Sequence, residues 1–124
     1  MVFSFSSDQP IFRQITVRIA NDIVNGELKE GDQVPSTNEF AKLLQINPAT
    51  AAKGINLLVD QEILYKKRGI GMFVFEGARA KLIKERQDSF RETYIAPMLQ
   101  EANQIELSDE QIKQLIDEER GKRK

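Results

Sequence analysis

The chain of 124 residues contains no cysteine and no histidine. Without cysteine it forms no disulfide and offers neither a thiol nucleophile nor a thiolate zinc site. Without histidine it lacks the side chain that most often acts as a general acid or base. An enzyme built from this chain would depend on carboxylates or lysine alone, so we expect no enzymatic activity, no bound metal and no cofactor.

Long apolar runs are also missing. Nothing approaches the roughly 20 apolar residues of a membrane span, and residues 1–7 lack the basic start and apolar core of a signal peptide. We therefore predict a cytoplasmic protein that does not bind membranes.

The chain has no overall positive charge. Its formal net charge is −1, which counts against nucleic acid as a partner. The stretch 42–72, however, holds five basic and two acidic residues and therefore a local net charge of +3. The positive charge is concentrated in the segment whose pattern is described next.

Residues 36–60 have the pattern of two short helices. Ser36 and Glu39 have the spacing of a capping box, which starts the first helix. One face of that helix carries its apolar residues: Phe40, Leu43 and Leu44. Asn47 has the position of an N-cap, and Pro48 then takes the first position of a second helix, where its missing N–H costs nothing. Two short helices joined tightly predict a helix-turn-helix.

After Asp60 the period changes to that of a β-hairpin. Strands are predicted over 63–67 and 72–75, around a turn at 68–71. The predicted fold is therefore α+β, a winged helix-turn-helix domain followed by a short α-helical dimerisation tail, with domains 1–76 and 77–124.

The outward face of the second helix favours DNA as a partner, because its small or hydrogen-bonding side chains permit close approach to base edges. This face carries Ala49, Thr50, Ala52, Lys53 and Asn56. The hairpin, or wing, carries basic residues next to a flexible tip that contains glycine. Basic charge and a flexible tip suit phosphate contact and entry into a minor groove. Its predicted DNA-contacting residues are Lys66, Lys67, Arg68 and Gly69.

Upstream, apolar residues recur at spacings of three and four and predict a core helix. They are Phe12, Ile15, Ile19 and Ile23. Ser7 or Asp8 is expected to cap this helix, which would begin near Pro10. Gly54, in the middle of the second helix of the pair, is locally unfavourable there, so we expect it to serve close packing against the first helix.

Several segments in the same order resemble the N-terminal domain of the GntR family of bacterial transcription regulators. They are residues 10–15 (PIFRQI), 26–36 (GELKEGDQVPS), 47–53 (NPATAAK) and 69–74 (GIGMFV). The Asn-Pro-x-Thr start of the second helix, together with the short tail, is similar to the YtrA-like subgroup in particular. The resemblance implies a homodimeric repressor that reads an inverted-repeat operator in double-stranded DNA and often controls neighbouring transporter genes.

Within that reading, Asn47, Thr50 and Lys53 face bases or phosphates. Ser36, Thr37 and Asn38 hold phosphates at a helix N-terminus. Two positions depart from the family pattern. Asn38 stands where the family usually has an arginine that contacts DNA. Asparagine lacks the positive charge of arginine and its planar set of N–H donors, which can form two parallel hydrogen bonds. Ile70 stands where the wing usually has a basic residue.

Beyond Gly77 the pattern predicts one long helix from about Arg79 to Ala102, kinked by Pro97. Ser108 and Gln111 form a second capping-box pattern and predict a final helix. Two helices with one apolar stripe each cannot make an independent core. They either fold back on their own winged helix or pair with a second chain. We expect the second arrangement, with a homodimer contact formed by Phe90, Tyr94, Met98, Ile112 and Leu115.

The tail is too short to enclose a pocket of several hundred Å³. Any small-molecule effector, whose identity the sequence does not indicate, would therefore bind at the dimer interface. The competing function is a winged helix that serves as a protein-interaction module without sequence-specific DNA binding. The acidic composition and Asn38 favour that alternative, and a salt titration of duplex binding separates the two.

Overall fold

The computed structural model describes Phe5 and residues 8–122. These residues form six α-helices, one five-residue π-helical turn and three β-strands. In chain order they are α1 (Ile11–Val24), β1 (Gln33–Val34), α2 (Thr37–Leu44), α3 (Pro48–Asp60), β2 (Leu64–Lys67), β3 (Gly71–Val74), α4 (Ala78–Phe90), the π turn (Arg91–Ile95), α5 (Ala96–Gln104) and α6 (Asp109–Lys122). Within these described ranges, no helix has the length and apolar content needed to cross a membrane. The chain divides into two compact units on either side of the Lys84–Glu85 bond.

Side-chain caps begin both helices of the helix-turn-helix where the sequence predicts them. Ser36 Oγ accepts a hydrogen bond from the Glu39 amide at 3.1 Å, and the Glu39 carboxylate accepts one from the Ser36 amide at 3.3 Å. Asn47 Oδ1 accepts a bond from the Ala49 amide at 2.8 Å, and Pro48 is the first residue of α3. These bonds satisfy amides that have no partner inside a helix.

The buried face of α2 differs from the predicted one. Phe40 and Ala41 are buried and Leu44 is half-buried, whereas Leu43 is 71% exposed. Around the helix axis, Ala41 and Leu43 lie on opposite sides of the line from Phe40 to Leu44. The rest of the domain covers the side of Ala41. Leu43 therefore lies in solvent, although it belongs to the predicted apolar face of Phe40 and Leu44.

Helix α1 supplies the centre of the core through Ile15, Ile19 and Ile23, which are buried as predicted. Phe12 is only half-buried, although its spacing places it on the same stripe. The residue before the helix is Pro10, and no side chain caps the helix there. The N-cap residue is thus Pro10 and not the predicted Asp8, and Ser7 lies outside the described residues.

The three strands form an antiparallel sheet in the order β1-β3-β2. The predicted hairpin is confirmed, with Leu64 opposite Val74 and Lys67 opposite Gly71. The sequence did not predict β1, which pairs with β3 through Gln33 opposite Phe73. Two residues are too few to show a strand periodicity, and β1 exists because β3 offers it hydrogen bonds.

Gly54 lies where α3 crosses α1. A Cβ added at Gly54 would lie 2.5 Å from the backbone oxygen of Phe12 and 3.2 Å from the Cβ of Ile15. The carbonyl of Gly54 accepts a hydrogen bond from Thr16 Oγ1 at 2.7 Å. The two helix backbones approach this closely because position 54 has no side chain. The predicted close packing at Gly54 is present, but its partner is α1 and not the first helix of the pair, α2.

We expect Gly54→Ala to reduce the free energy of unfolding by about 1 to 3 kcal/mol, because overpacking at a tight contact outweighs the better helix propensity of alanine. Urea denaturation measures the effect. Gly121→Ala is the matched control, since an added Cβ at this α6 glycine meets no heavy atom within 4 Å. The control should be neutral or slightly stabilising. A Gly54→Ala variant as stable as the parent would contradict the close approach of α1 and α3.

Helix α4 begins in the core of the first unit. Ala78 and Leu82 are buried there, and Arg79 Nε donates a hydrogen bond to the Val24 carbonyl at 2.9 Å. The first turns of α4 are therefore part of the winged-helix unit. The division between the units lies later in the chain than the predicted boundary after residue 76.

A π turn lies just before Pro97, where the sequence predicts a kink. The Ala96 amide donates to the carbonyl of Arg91, five residues earlier. Pro97 has no N–H, and in a regular α-helix its ring would clash with the carbonyl of Thr93. The wider π turn gives that carbonyl room and lets the chain continue directly into α5.

In the second unit, α6 begins with the predicted second capping box. Ser108 Oγ accepts a hydrogen bond from the Gln111 amide at 3.2 Å, and Gln111 Oε1 accepts one from the Ser108 amide at 2.9 Å. Helices α5 and α6 each contribute one buried residue, Ala102 and Ile112. This small contact leaves most apolar side chains of the unit in solvent.

Candidate nucleic-acid interface

Helix α3 presents the face that the sequence predicts for DNA. Its inner side is buried in the core and consists of Ala51, Gly54, Ile55 and Leu58. On the outer side Asn47, Ala49 and Lys53 are exposed and Thr50 is half-buried. Because the Oδ1 of Asn47 is engaged in the cap, its amide nitrogen is the group that can donate to DNA. These short side chains allow the helix to approach base edges closely.

Lys53 is supported by an aromatic residue of α1. Its ammonium nitrogen lies 4.1 Å from the centroid of the Phe12 ring, and the guanidinium carbon of Arg13 lies 5.4 Å from the same centroid. A cation over an aromatic face at an exposed site contributes about 0.5 to 1 kcal/mol. Two cations therefore meet at Phe12 beside the recognition helix. The sequence did not predict this, because residues 12 and 53 belong to different helices.

The N-terminus of α2 is less available to phosphate than predicted. The capping box engages the amide of Ser36 and a lone pair of its Oγ, and it holds the Glu39 carboxylate at the start of the helix. The hydroxyl proton of Ser36 can still donate to a phosphate oxygen. A carboxylate there competes with a phosphate for the positive end of the helix. Ser36 and Thr37 are half-buried and Asn38 is exposed, and the phosphate contacts of these three residues remain predictions.

In the wing, strand alternation sends the two lysines to opposite faces of the sheet. Lys66 pairs with the buried Met72 and so lies on the face that packs against the helices. Lys67 lies on the outer face, where its ammonium is 5.3 Å from the centroid of the Phe73 ring. Both lysines are exposed. Lys66 is therefore the wing lysine on the same side of the sheet as the recognition helix.

The wing tip consists of three exposed residues, Arg68, Gly69 and Ile70. Gly69 has φ +79°, which favours glycine, and the Ile70 amide donates to the Lys67 carbonyl at 2.9 Å. The side-chain Nε2 of Gln33 also donates a hydrogen bond to the Ile70 carbonyl, at 3.1 Å. The sequence did not predict this contact, because Gln33 lies 37 positions before Ile70 and no local pattern connects them.

The predicted dimerisation residues fall into two classes in the second unit. Phe90 and Tyr94 are 51% and 62% exposed, with ring centroids 5.2 Å apart, and Met98 and Leu115 are also exposed. Ile112 differs from them because only 8% of it is exposed. Most of its side chain is covered in the single chain, and the rest lines the groove described next. Its part in a dimer contact remains a prediction.

Helices α5 and α6 border an open apolar groove of about 580 Å³. Its apolar lining consists of Met98, Ala102, Ile105, Leu107, Ile112, Leu115 and Ile116. The groove opens to solvent and does not enclose a ligand.

Residues 12–74 match the bacterial regulatory proteins of the gntR family. The HTH-type transcriptional repressor YtrA of Bacillus subtilis is 30% identical over 86 residues, which cover 69% of this chain and 66% of that repressor. A GntR family transcriptional regulator from Listeria monocytogenes has a similar structure, with a TM-score of 0.72 and 25% identity over 92% of this chain and 98% of the other. The DNA-binding domain of AraR in complex with the operator ORX1 is 28% identical, with a TM-score of 0.52 over 60% of this chain and 90% of that domain.

Proposed function

This chain belongs to the GntR family of bacterial DNA-binding transcription regulators, and we propose that it acts as a homodimeric repressor. Each winged helix reads one half-site of an inverted-repeat operator, with α3 in the major groove and the wing in the minor groove. In this proposal the chain has no enzymatic activity, and it works in the bacterial cytoplasm, where its operator is.

One observation carries the proposal. The outer face of α3 ends in short exposed side chains, Asn47 and Ala49 among them, while the longer Lys53 is drawn toward Phe12. No long side chain on this face therefore holds the helix away from DNA, and its backbone and short side chains can reach base edges. Lys66 adds a positive charge on the same side of the sheet, where it can bind a phosphate beside the groove.

Two further points support repression by a dimer. YtrA, the relative described above, is a transcriptional repressor. The second unit exposes Phe90, Tyr94 and Leu115 in a single chain, and a two-fold contact would bury these side chains symmetrically. An operator that is itself two-fold symmetric then binds both winged helices at once.

Selection of bound sequences from random duplex DNA tests this function. We expect enrichment of an inverted repeat whose half-site centres are about one helical turn, or a multiple of it, apart. Enrichment of a single half-site would contradict the dimer. No enrichment, together with binding that does not fall as salt rises, would contradict DNA binding and favour a protein-interaction module.

We expect Thr50→Val to weaken binding to the selected site by about 1 to 3 kcal/mol, because the change removes a base-reading hydroxyl while keeping the side-chain volume. Competition titration against the selected duplex measures the loss. Binding to random DNA is the internal control and should change little, and so should the melting temperature. If the variant binds selected DNA as tightly as the parent, Thr50 does not read a base.

A further inference from the structure

The wing tip depends on one side chain of the short strand β1. Gln33 lies on the outer face of the sheet opposite Phe73. From there its side chain runs along β3, past Gly71, to the turn, where Nε2 donates to the Ile70 carbonyl at 3.1 Å. The tip is thus bonded to a strand outside its own hairpin.

Gly71 shows how closely this side chain follows the wing. A Cβ added at Gly71 would lie 2.5 Å from Gln33 Nε2, 3.4 Å from its Cδ and 3.7 Å from its Cγ. The Gln33 side chain therefore occupies the space above β3 that a side chain at position 71 would need. Gly71 also has φ +146°, a conformation that residues with a Cβ rarely adopt.

The hairpin needs such support. Its strands have four residues each, and the last ladder pair is Lys67 opposite Gly71. Beyond that pair the turn is closed by the bond from the Ile70 amide to Lys67. At this end only two strands pair, because β1 reaches Met72 but not Gly71. An isolated two-stranded hairpin is marginal in water, so a bond from outside the hairpin restricts the positions that its tip can take.

We propose that Gln33 is a positioning residue for the wing, which holds the turn of Arg68 and Gly69 in the orientation that meets DNA. This inference rests on the proposed function. The physical basis is preorganisation, because a tip that is already ordered loses less conformational freedom on binding. Gln33 itself need not touch DNA, since its amide is engaged with the Ile70 carbonyl.

Gln33→Met tests the proposal, because methionine keeps the length and neutrality of glutamine but has no N–H donor. Gln14→Met is the matched control. Gln14 Nε2 also donates to a backbone carbonyl, that of Gln9, at 2.7 Å, and it lies on α1 outside the wing. Both variants should melt near the parental temperature.

In the free protein, we expect amide hydrogen exchange at Ile70 to become about three- to tenfold faster in Gln33→Met, and unchanged in Gln14→Met. Affinity for the selected operator should fall by a similar factor in Gln33→Met alone. Unchanged exchange at Ile70 would overturn the bond as a restraint on the tip. Faster exchange with parental affinity would overturn its role in DNA binding.

The two proposals fail in different ways. If the parent protein shows no salt-dependent binding to duplex DNA, the proposed function fails, and the positioning role for DNA fails with it. The exchange measurement on the free protein still decides whether Gln33 restrains the tip. If the parent binds its operator and the two glutamine variants behave alike in both measurements, only the inference about Gln33 is overturned.

Discussion

Replacing Phe90 by aspartate is expected to convert the proposed dimer to a monomer and to reduce operator affinity by about 100-fold or more. Phe90 is half exposed in the single chain and lies against Tyr94. In the proposed dimer this apolar surface is buried by the partner, and an unpaired carboxylate placed there would be desolvated at high cost. In a dimer, binding of one winged helix to its half-site holds the other at high effective concentration near the second half-site. A monomer loses this gain in affinity.

Sedimentation velocity gives the oligomeric state, and a titration with the selected operator gives the affinity. Ser89→Asp is the matched control, because it adds the same charge at the neighbouring exposed position, about 100° around α4. It should remain dimeric. A Phe90→Asp protein that is still fully dimeric and folded would contradict the proposed interface. A monomer that has also lost its winged-helix fold would instead favour packing of the tail on its own domain.

A triple alanine variant of the wing, K66A/K67A/R68A, is expected to weaken binding to operator and random DNA alike. Each lost phosphate contact should lower the slope of log K against log salt by about 1. The geometry refines this expectation. Lys66 lies on the helix side of the sheet, whereas Lys67 is already placed over Phe73. We therefore expect Lys66→Ala alone to lower the slope more than Lys67→Ala alone.

The matched control is K84A/K113A/K122A, which changes the net charge by the same amount outside the wing. Lys113 and Lys122 lie on α6, within 4 Å of Glu110 and Glu119. Exposed ion pairs of this kind contribute little to stability. An unchanged salt slope in the wing variant would show that the wing does not contact phosphates. Loss confined to the operator would assign base reading to Arg68.

The elements that the sequence predicts correctly are those whose chemistry is local. The boxes at Ser36 and Ser108 and the cap at Asn47 need partners only two or three residues away. The family and its DNA-binding function were also predicted from short motifs, and the match over residues 12–74 confirms them. The individual DNA-contacting residues and the dimer contact remain predictions.

The errors occur where a second element decides the outcome. Leu43 is as apolar as Leu44, and only the packing of the domain over Ala41 leaves Leu43 in solvent. The spacing also did not show that Ile112 is only 8% exposed in the single chain whereas Leu115 is 51% exposed, although its dimer contact remains a prediction. Periodicity places a residue on a face but does not say which part of that face a neighbouring helix covers.

The sequence by itself determined the caps of α2, α3 and α6, the wing turn at Gly69 and the family, because each depends on residues close together in the chain. Only the tertiary structure decided that Lys53 lies over Phe12 and that Gln33 bonds to the wing tip at Ile70. These contacts join residues 41 and 37 positions apart. Such pairs leave no local pattern, since their distance is set by how α1, α3 and the sheet pack around one core.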